Sequence, residues 1–203
     1  MNVRSVIGIA GGSGAGKSFL AGQLRRKLGR ERTLLLSQDY YYIGKTEDDI
    51  INRIEVNFDH PDSVDFNWFT RNITDLCSGF PTQRPVYSMK RQVRLGRTIP
   101  VAPREFLIVE GTLIFLSEEI RKACTVRIFL DIPEKIRMDR RIARDLKERG
   151  RSIYGVMGQI RNFVLPMHRE FVEPEAKWAD VVLSESALSG EILARIERAN
   201  PEC

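Results

Sequence analysis

The sequence predicts an α/β fold in which a mostly parallel sheet carries helices on both faces. Three observations predict it: short apolar runs alternate with amphipathic segments, the first apolar run ends in a glycine-rich turn, and no internal repeat interrupts this order. The chain has 203 residues, of which 42% are hydrophobic and 29% charged, so wholesale disorder is excluded. We expect one domain over residues 1–203.

The first part of the chain alternates strand and helix patterns. Apolar runs predict buried strands at Val3–Ala10 and Thr33–Ser37. Amphipathic segments predict helices at Lys17–Leu28 and at Phe66–Ser78, the second of which has Asp65 as its N-cap. These elements alternate in the order that a parallel sheet requires.

Residues 86–101 differ from their surroundings, because polar and apolar residues come near to alternation there and Gly96 lies in the middle. This pattern predicts a β-hairpin. We therefore expect a small inserted β-hairpin subdomain over residues 85–102.

The second part of the chain returns to alternating strands and helices. The helix at 153–171 is expected to be interrupted near Pro166. The predicted strands are Phe106–Val109, Val126–Ile132 and Val181–Leu183, and the predicted helices are Ser117–Ala123, Pro133–Glu148, Ile153–Phe171 and Gly190–Ala199.

Charge and hydropathy narrow the class of protein. The formal net charge is +5, which fits either a nucleic-acid surface or a pocket for a polyanionic small ligand. Because no RNA-binding or helix-turn-helix signature accompanies the charge, we favour the small ligand and expect no nucleic-acid partner. No run approaches the roughly 18 apolar residues of a membrane span, and the N-terminus shows no signal-peptide cleavage pattern. We therefore expect no membrane association.

The cysteines are Cys77, Cys124 and Cys203, which lie far apart and form no CxxC pair. Only two histidines, His60 and His168, could add to a metal site. A disulfide framework or a zinc site is therefore not expected, and a reducing cytoplasm is the compartment that fits best.

A glycine-rich loop lies between the first predicted strand and the first predicted helix. It satisfies the phosphate-loop pattern GxxxxGK[ST] with Gly11, Gly12, Ser13, Gly14, Ala15, Gly16, Lys17 and Ser18. The backbone N–H groups of such a loop turn inward onto phosphate oxygens, and the helix N-terminus adds a favourable partial charge. We expect Lys17 to reach the β- and γ-phosphates of ATP or GTP, and the Ser18 hydroxyl to ligate Mg²⁺. The sequence thus predicts a P-loop NTPase fold, a three-layer sandwich.

The P-loop class contains kinases, GTPase switches and motor ATPases. The guanine-reading pattern NKxD is absent, and the strand FLIV ends in Glu110 where a motor ATPase usually carries Asp-Glu. The small size of the chain also argues against a motor. A small-molecule kinase is the leading interpretation.

Two carboxylates end predicted strands at the edge of the sheet where the phosphate loop lies. Asp39 follows the strand TLLLS, and we expect it to orient or deprotonate the acceptor hydroxyl and to contribute to the metal site. Glu110 ends the strand FLIV and is a natural Mg²⁺ partner. The alternatives are a solvent-facing turn for Asp39 and a helix cap for Glu110.

A helical projection of residues 136–148 places Arg137, Arg141 and Arg144 on one side, opposite an apolar stripe of Ile136, Met138, Ile142, Ala143 and Leu146. We expect the helix to bury the apolar stripe and to present the arginine row. Arg149 and Arg151 follow as a basic tip. Beside a phosphate loop, this segment predicts an arginine-rich lid over residues 137–152, although a solvated charged face is the alternative.

Several blocks make the chain resemble the uridine kinase (uridine–cytidine kinase) family of P-loop kinases, which are related to phosphoribulokinase and pantothenate kinase. The resemblance runs from Val6 to about Leu183. The blocks are SQDYYY at 37–42, NFDHPDSVDF at 57–66, VEGTLIF at 109–115 and RRIARDLKERGRS at 140–152, followed by the spaced Gln159, Phe163 and Pro166.

The resemblance implies roles for individual residues. Asp39 is similar to the general base on the ribose 5′-hydroxyl, and Asp59 to the carboxylate that holds ribose hydroxyls. Ser18 and Glu110 resemble residues of the Mg²⁺ site. Further residues that resemble nucleoside contacts are Tyr42, Phe58, Tyr87, Arg141 and Gln159. The residues that resemble phosphate-binding lid arginines are Arg141, Arg144, Arg149 and Arg151.

The predicted hairpin departs from the family pattern Tyr-Asp-Phe-x-x-His-x-Arg. Here Ser88 replaces the Asp, Met89 the aromatic residue and Gln92 the base-reading His. The Gln92 amide carries both a donor and an acceptor, so it can still satisfy a pyrimidine edge. These changes fall in the pocket that selects the base, so the acceptor is less well defined than the kinase activity.

The sequence as a whole predicts a magnesium-dependent kinase that uses ATP to phosphorylate the 5′-hydroxyl of uridine or cytidine, in pyrimidine salvage. One alternative is a phosphoribulokinase- or pantothenate-kinase-like enzyme that acts on another small alcohol. The other is a nucleotide-binding regulator without turnover. The resemblance is also compatible with a homo-oligomer.

Overall fold

A computed structural model describes residues 3–46, 56–184 and 192 of the chain. In that part, five parallel strands form one sheet and two antiparallel strands form a separate hairpin. The large sheet contains β1 (Ser5–Gly11), β2 (Thr33–Ser37), β5 (Phe106–Glu110), β6 (Val126–Leu130) and β7 (Val181–Leu183), in the spatial order β2-β5-β1-β6-β7. The predicted parallel sheet is therefore confirmed.

The helices follow the predicted order. They are α1 (Lys17–Leu28), α2 (Phe66–Cys77), α3 (Glu118–Ala123), α4 (Glu134–Lys147), α5 (Ile153–Gln159) and α6 (Leu165–Met167). Short 3₁₀ segments lie at Gln38–Tyr41, Pro61–Ser63, Ile114–Leu116 and Glu173–Trp178. The predicted helix at 190–199 lies outside the described residues apart from Ile192.

Helices cover both faces of the sheet because β1 alternates its side chains between two apolar cores. Ile7 and Ile9 belong to the cluster that includes Leu20 and Leu24 of α1. Val6 and Ala10 belong to the cluster on the other face, with Phe69 of α2. All seven residues of β1 are buried, so this strand is central to a three-layer sandwich.

The hairpin begins earlier than predicted. Its strands are β3 (Thr82–Ser88) and β4 (Val93–Val101), and a register shift between Pro85 and Val86 breaks their pairing. The prediction started only at the second of these residues, because the bulge hides the alternation of the segment before it.

The regular α-helix is interrupted near Pro166, as expected, but the interruption consists of π-helical turns and the chain stays helical through the proline. The π-helical segments at Ile160–Val164 and His168–Val172 flank the short α6 that contains it. Proline is tolerated there because it occupies one of the first two positions of α6, and the π-helical turns accommodate the altered hydrogen bonding.

Candidate active site

The phosphate loop connects the buried end of β1 to α1, as the sequence predicts. Gly14 has φ 80°, and a Cβ there would collide with the backbone carbonyl of Arg137. The Lys17 Nζ donates hydrogen bonds to the carbonyl oxygens of Gly11 at 2.9 Å and Gly12 at 3.1 Å. Ala15 closes the loop through a bond from its N–H to the Gly12 carbonyl at 3.0 Å. The lysine is thus held over the loop by its own backbone.

A cleft of about 780 Å³, including its open mouth, lies in front of this loop. Most predicted site residues line it, and these are Ser13, Gly14, Lys17, Ser18, Asp39, Tyr42, Phe58, Asp59, Tyr87, Gln92, Glu110, Arg141, Arg144, Arg149, Arg151 and Gln159. The predicted loop residues that do not line it are Gly11, Gly12, Ala15 and Gly16.

The register of the sheet explains why the two carboxylates meet at this cleft. Ser37 of β2 pairs with Glu110 of β5, so both strands end at the same edge. The Ser37 Oγ accepts a hydrogen bond from the Asp39 N–H at 3.2 Å, which fixes the turn carrying that carboxylate. On the other side, the Ser18 Oγ donates to the Glu110 Oε1 at 3.4 Å. Asp39 therefore lines the cleft, and Glu110 contacts the phosphate-loop serine.

Burial and charge perturb the groups at this edge. Burial lowers the pKa of Lys17, while the charges of Glu110 and Asp39 act in the opposite direction. Burial, followed by the negative charge of Asp39, raises the pKa of Glu110. Perturbed groups that share one cleft are a mark of functional sites.

The donor atoms beside Lys17 are a hydroxyl and carboxylates, from Ser18, Asp39 and Glu110. Such oxygen donors suit Mg²⁺ rather than zinc. Within the described part of the chain, no group of three or more His, Cys, Asp or Glu residues converges as a metal site. A magnesium ion held here would therefore need phosphate oxygens of the nucleotide among its ligands, as Mg²⁺ commonly does.

A group of aromatic side chains lines another part of the cleft. The Tyr42 ring meets the Phe58 ring edge-on with centroids 5.7 Å apart, and its centroid lies 5.5 Å from that of Tyr87. Asp59 lies beside them and pairs with the Arg141 Nη1 at 3.5 Å. The arrangement offers apolar ring faces together with one carboxylate, which suits a ligand that has both a flat ring and hydroxyl groups.

The turn of the hairpin also contributes residues to the cleft. Gln92 has φ 58° and is the one non-glycine residue in the left-handed region among those described. Its carbonyl accepts from the Lys45 N–H at 2.8 Å, and Arg94 donates to the carbonyls of Tyr41 and Tyr42. Because the hairpin is tied to the Tyr42 segment, Met89 and Gln92 reach the cleft.

The buried face of helix α4 is not the one that we predicted. Arg137 and Arg141 are buried, whereas Ile136 and Leu146 of the predicted apolar stripe are exposed. Of that stripe, Met138 is buried in an apolar cluster and the partly buried Ile142 packs against it. On the inward side, Asp59 and Asp145 pair with Arg141, and Arg137 packs against the phosphate loop.

Asp145 is the carboxylate at the centre of this inward side, and the sequence analysis missed it. It forms ion pairs with Arg144 at 3.0 Å, Arg149 at 3.3 Å, Arg151 at 3.0 Å and Arg141 at 3.8 Å. Arg141 also donates from its Nη1 to the Ser13 Oγ at 2.8 Å, so the cluster reaches the phosphate loop.

Two further lining residues, Val56 and Thr112, carried no sequence signal of their own. Thr112 lies two residues after Glu110, so the end of that strand was the available clue. Asp145 resembled any acidic residue on a solvated helix, and only the inward orientation of α4 distinguishes it.

No helix of the described residues is both long and apolar enough to cross a membrane.

Comparison with known proteins agrees with this architecture. Residues 6–188 match the model of the phosphoribulokinase / uridine kinase family. A uridine kinase from Staphylococcus carnosus is 37% identical over 185 residues, which cover 91% of this chain and 89% of that protein.

Solved structures share the fold. A chain described as a possible uridine kinase from Bacillus stearothermophilus aligns with a TM-score of 0.64 at 21% identity, covering 91% of this chain and 90% of that one. Phosphoribulokinase from Rhodobacter spheroides aligns with a TM-score of 0.61 at 12% identity, covering 91% of this chain and 73% of that one. With nearly the whole chain matched in sequence and in fold, this protein belongs to the phosphoribulokinase / uridine kinase family.

Proposed function

We propose that this chain is an ATP-dependent uridine kinase that transfers the γ-phosphoryl group to the 5′-hydroxyl of uridine or cytidine, a step of pyrimidine salvage in the cytoplasm. The observation that carries the proposal is that one cleft contains two half-sites, one for the phosphates of the nucleotide and one for the acceptor. The phosphate loop with its lysine, the aromatic side chains with Asp59, and Asp39 all line this cleft.

At the phosphate end, Lys17 balances charge on the β- and γ-phosphates, and the loop N–H groups bind their oxygens. GTP would meet the same phosphate contacts, so the base of the donor is open. Ser18, Asp39 and Glu110 would hold Mg²⁺, which supplies charge neutralisation on the transferred group.

At the acceptor end, Asp39 accepts the proton of the 5′-hydroxyl as it attacks the γ-phosphorus. Asp59 accepts hydrogen bonds from ribose hydroxyls, and Tyr42, Phe58 and Tyr87 surround the base. Burial raises the pKa of Tyr42 well above its ordinary value, so its phenol stays neutral at physiological pH. A neutral ring adds no negative charge beside the two aspartates.

Two further regions complete the proposed site. Gln92 and Gln159 contact the nucleoside through side-chain amides, which offer both a donor and an acceptor. Arg141, Arg144, Arg149 and Arg151 stabilise the transferring phosphoryl group as a lid over residues 137–152.

One observation favours a second acceptor class. Met89 and Gln92 line the cleft where the family pattern has an aromatic residue and a histidine, so the pocket offers fewer ring faces than its relatives. A different small alcohol could therefore be the preferred acceptor.

ADP release from ATP, measured with each acceptor in turn, tests the proposal. The panel contains uridine, cytidine, adenosine, ribulose 5-phosphate and pantothenate, and Lys17→Ala serves as the inactive control. We expect release with uridine and cytidine only. Release with another acceptor alone would replace the substrate but keep the kinase, and no release with any acceptor would favour a nucleotide-binding regulator.

A further inference from the structure

The carboxylate of Asp145 lies behind the arginine cluster rather than in the cleft. Arg141, Arg144, Arg149 and Arg151 line the cleft, but Asp145 does not. Its side chain is 0% exposed, against 7%, 33%, 16% and 19% for those four arginines. A ligand in the cleft would therefore meet guanidinium groups, and the carboxylate would lie beyond them.

Each arginine contacts this carboxylate through only one nitrogen of its guanidinium group. Arg144 and Arg141 present Nε, and Arg149 and Arg151 present Nη1. A guanidinium carries five N–H donors, so donors remain for a ligand on the cleft side. Asp59 also pairs with Arg141, but two carboxylates against four arginines still leave the cluster with a net positive charge.

Without a counter-charge, these arginines would repel one another. Burial and the like charge of Arg144 lower the pKa of Arg149, which shows how crowded the cations are. Burial alone would raise the pKa of Asp145, but the charges of Arg149, Arg144 and Arg141 hold it below its ordinary value. Asp145 is therefore an anion throughout the physiological range.

The backbone supports the same arrangement. The Arg151 N–H donates to the Asp145 carbonyl at 3.1 Å, so the tip of the lid folds back onto the helix. The Arg151 Nη1 also donates to the Gln159 Oε1 at 2.6 Å, which links the tip to α5. One residue of α4 thus holds the tip through both its backbone and its side chain.

We propose that Asp145 is a positioning residue that gathers the four lid arginines at the cleft before any nucleotide binds. Its carboxylate serves as an internal counter-anion, so the arginines are already placed when the triphosphate arrives. The arginines touch the transferring phosphoryl group, and Asp145 acts through them. The inference rests on the proposed phosphoryl transfer only for what the arginines do once they are placed.

Limited trypsin digestion without nucleotide tests the placement directly, because trypsin cleaves after arginine and the assay needs no substrate. We expect Asp145→Asn to be cleaved after Arg144, Arg149 or Arg151 several-fold faster than the unaltered protein. Asp139→Asn is the matched control, since it removes the same charge from an exposed position of the same helix. Equal cleavage of the two variants would overturn the proposal.

Kinetics with ATP and uridine then separate positioning from general damage. We expect Asp145→Asn to slow transfer about 10–100-fold, the usual loss when a supporting shell is removed, with uridine affinity nearly unchanged. Asp145→Glu keeps the charge and should recover part of the rate. An equal loss in both variants would mean that the charge is not what matters. If neither the unaltered protein nor any variant turned over uridine, the proposed function would fail while the digestion result still stood.

Hydrogen exchange of the unaltered protein gives a test that needs no variant to fold. Without nucleotide, the Arg151 amide should be protected relative to an unstructured amide, because it is bonded to the Asp145 carbonyl. Exchange of residues 148–152 at the unprotected rate would overturn the proposal even if Asp145→Asn proved unstable.

Discussion

At the scale of single residues, the phosphate loop places one buried cation where the triphosphate is expected. Lys17 is held by the carbonyls of its own loop, so removing its side chain takes away a charge without taking away a core contact between elements. We expect Lys17→Ala to keep its circular dichroism spectrum and to lose nearly all ADP release. Lys27→Ala, an exposed lysine of the same helix, should behave as the unaltered protein. Near-normal turnover of Lys17→Ala would contradict the P-loop role.

Asp39 is the second residue whose role can be isolated. Asp39→Asn keeps the shape of the side chain but removes its basicity, so we expect phosphoryl transfer to slow by about 10²-fold or more. ATP binding, followed by a fluorescent nucleotide analogue, should change little. If affinity for the nucleotide fell in parallel with the rate, Asp39 would act at the metal instead of at the acceptor hydroxyl.

Sequence reasoning located these residues because their positions follow from local rules. A phosphate loop has a fixed spacing, and residues at the carboxyl ends of neighbouring parallel strands share an edge, as Ser37 and Glu110 do. Asp145 could not be found in this way. The role of Asp145 depends on which side of α4 faces inward. The periodicity of the helix separates a charged side from an apolar side, but it does not show which of the two packs against the rest of the fold.

At the scale of elements, the same limit explains why the prediction of the buried face of α4 was wrong. An apolar stripe usually faces the core, but here the arginine side packs on the phosphate loop, where Gly12 and Gly14 leave room for Arg137. The hairpin was found because alternation survives in β4, although β3 begins before the bulge. The buried faces of elements that pack through apolar side chains could be predicted, but the buried face of the helix that carries the arginine cluster could not.

The hairpin also carries the element-scale prediction. Gln92 has a left-handed backbone, a conformation in which histidine is enriched among non-glycine residues, so Gln92→His should fit without added strain. Together with Met89→Phe, which restores an aromatic face worth about 1 kcal/mol, it should raise kcat/KM for uridine. Lys90→His, in the same turn but exposed, is the control. A fall in kcat/KM for the double variant would contradict a base-selecting role for these two positions.

At the scale of the whole molecule, a half-buried histidine makes stability depend on pH. Burial, followed by the charge of Arg137, lowers the pKa of His168 from 6.5 to about 4. Between these two pH values, His168 therefore binds a proton in the unfolded chain but not in the folded chain. The free energy of unfolding contributed by this residue is fully present above pH 6.5 and is lost progressively as the pH falls towards 4.

Urea unfolding at pH 7 and pH 5 measures this effect. We expect the unaltered protein to lose about 1 kcal/mol through His168 between these values, after allowance for its partial exposure. His168→Gln should flatten the loss, whereas His60→Gln, at the other histidine of the chain, should not. An equal pH dependence in all three proteins would show that His168 takes up its proton without unfolding.

The central claim for the molecule is that its two half-sites bind ATP and a pyrimidine ribonucleoside side by side, so that the γ-phosphoryl group is transferred directly to the 5′-oxygen. The measurement that tests it most directly is single-turnover transfer of label from γ-³²P-ATP to uridine, with 5′-deoxyuridine as the matched acceptor. Labelled uridine 5′-monophosphate should form from uridine, and no labelled nucleotide should form from 5′-deoxyuridine. Label in neither product, or label in both, would contradict the claim.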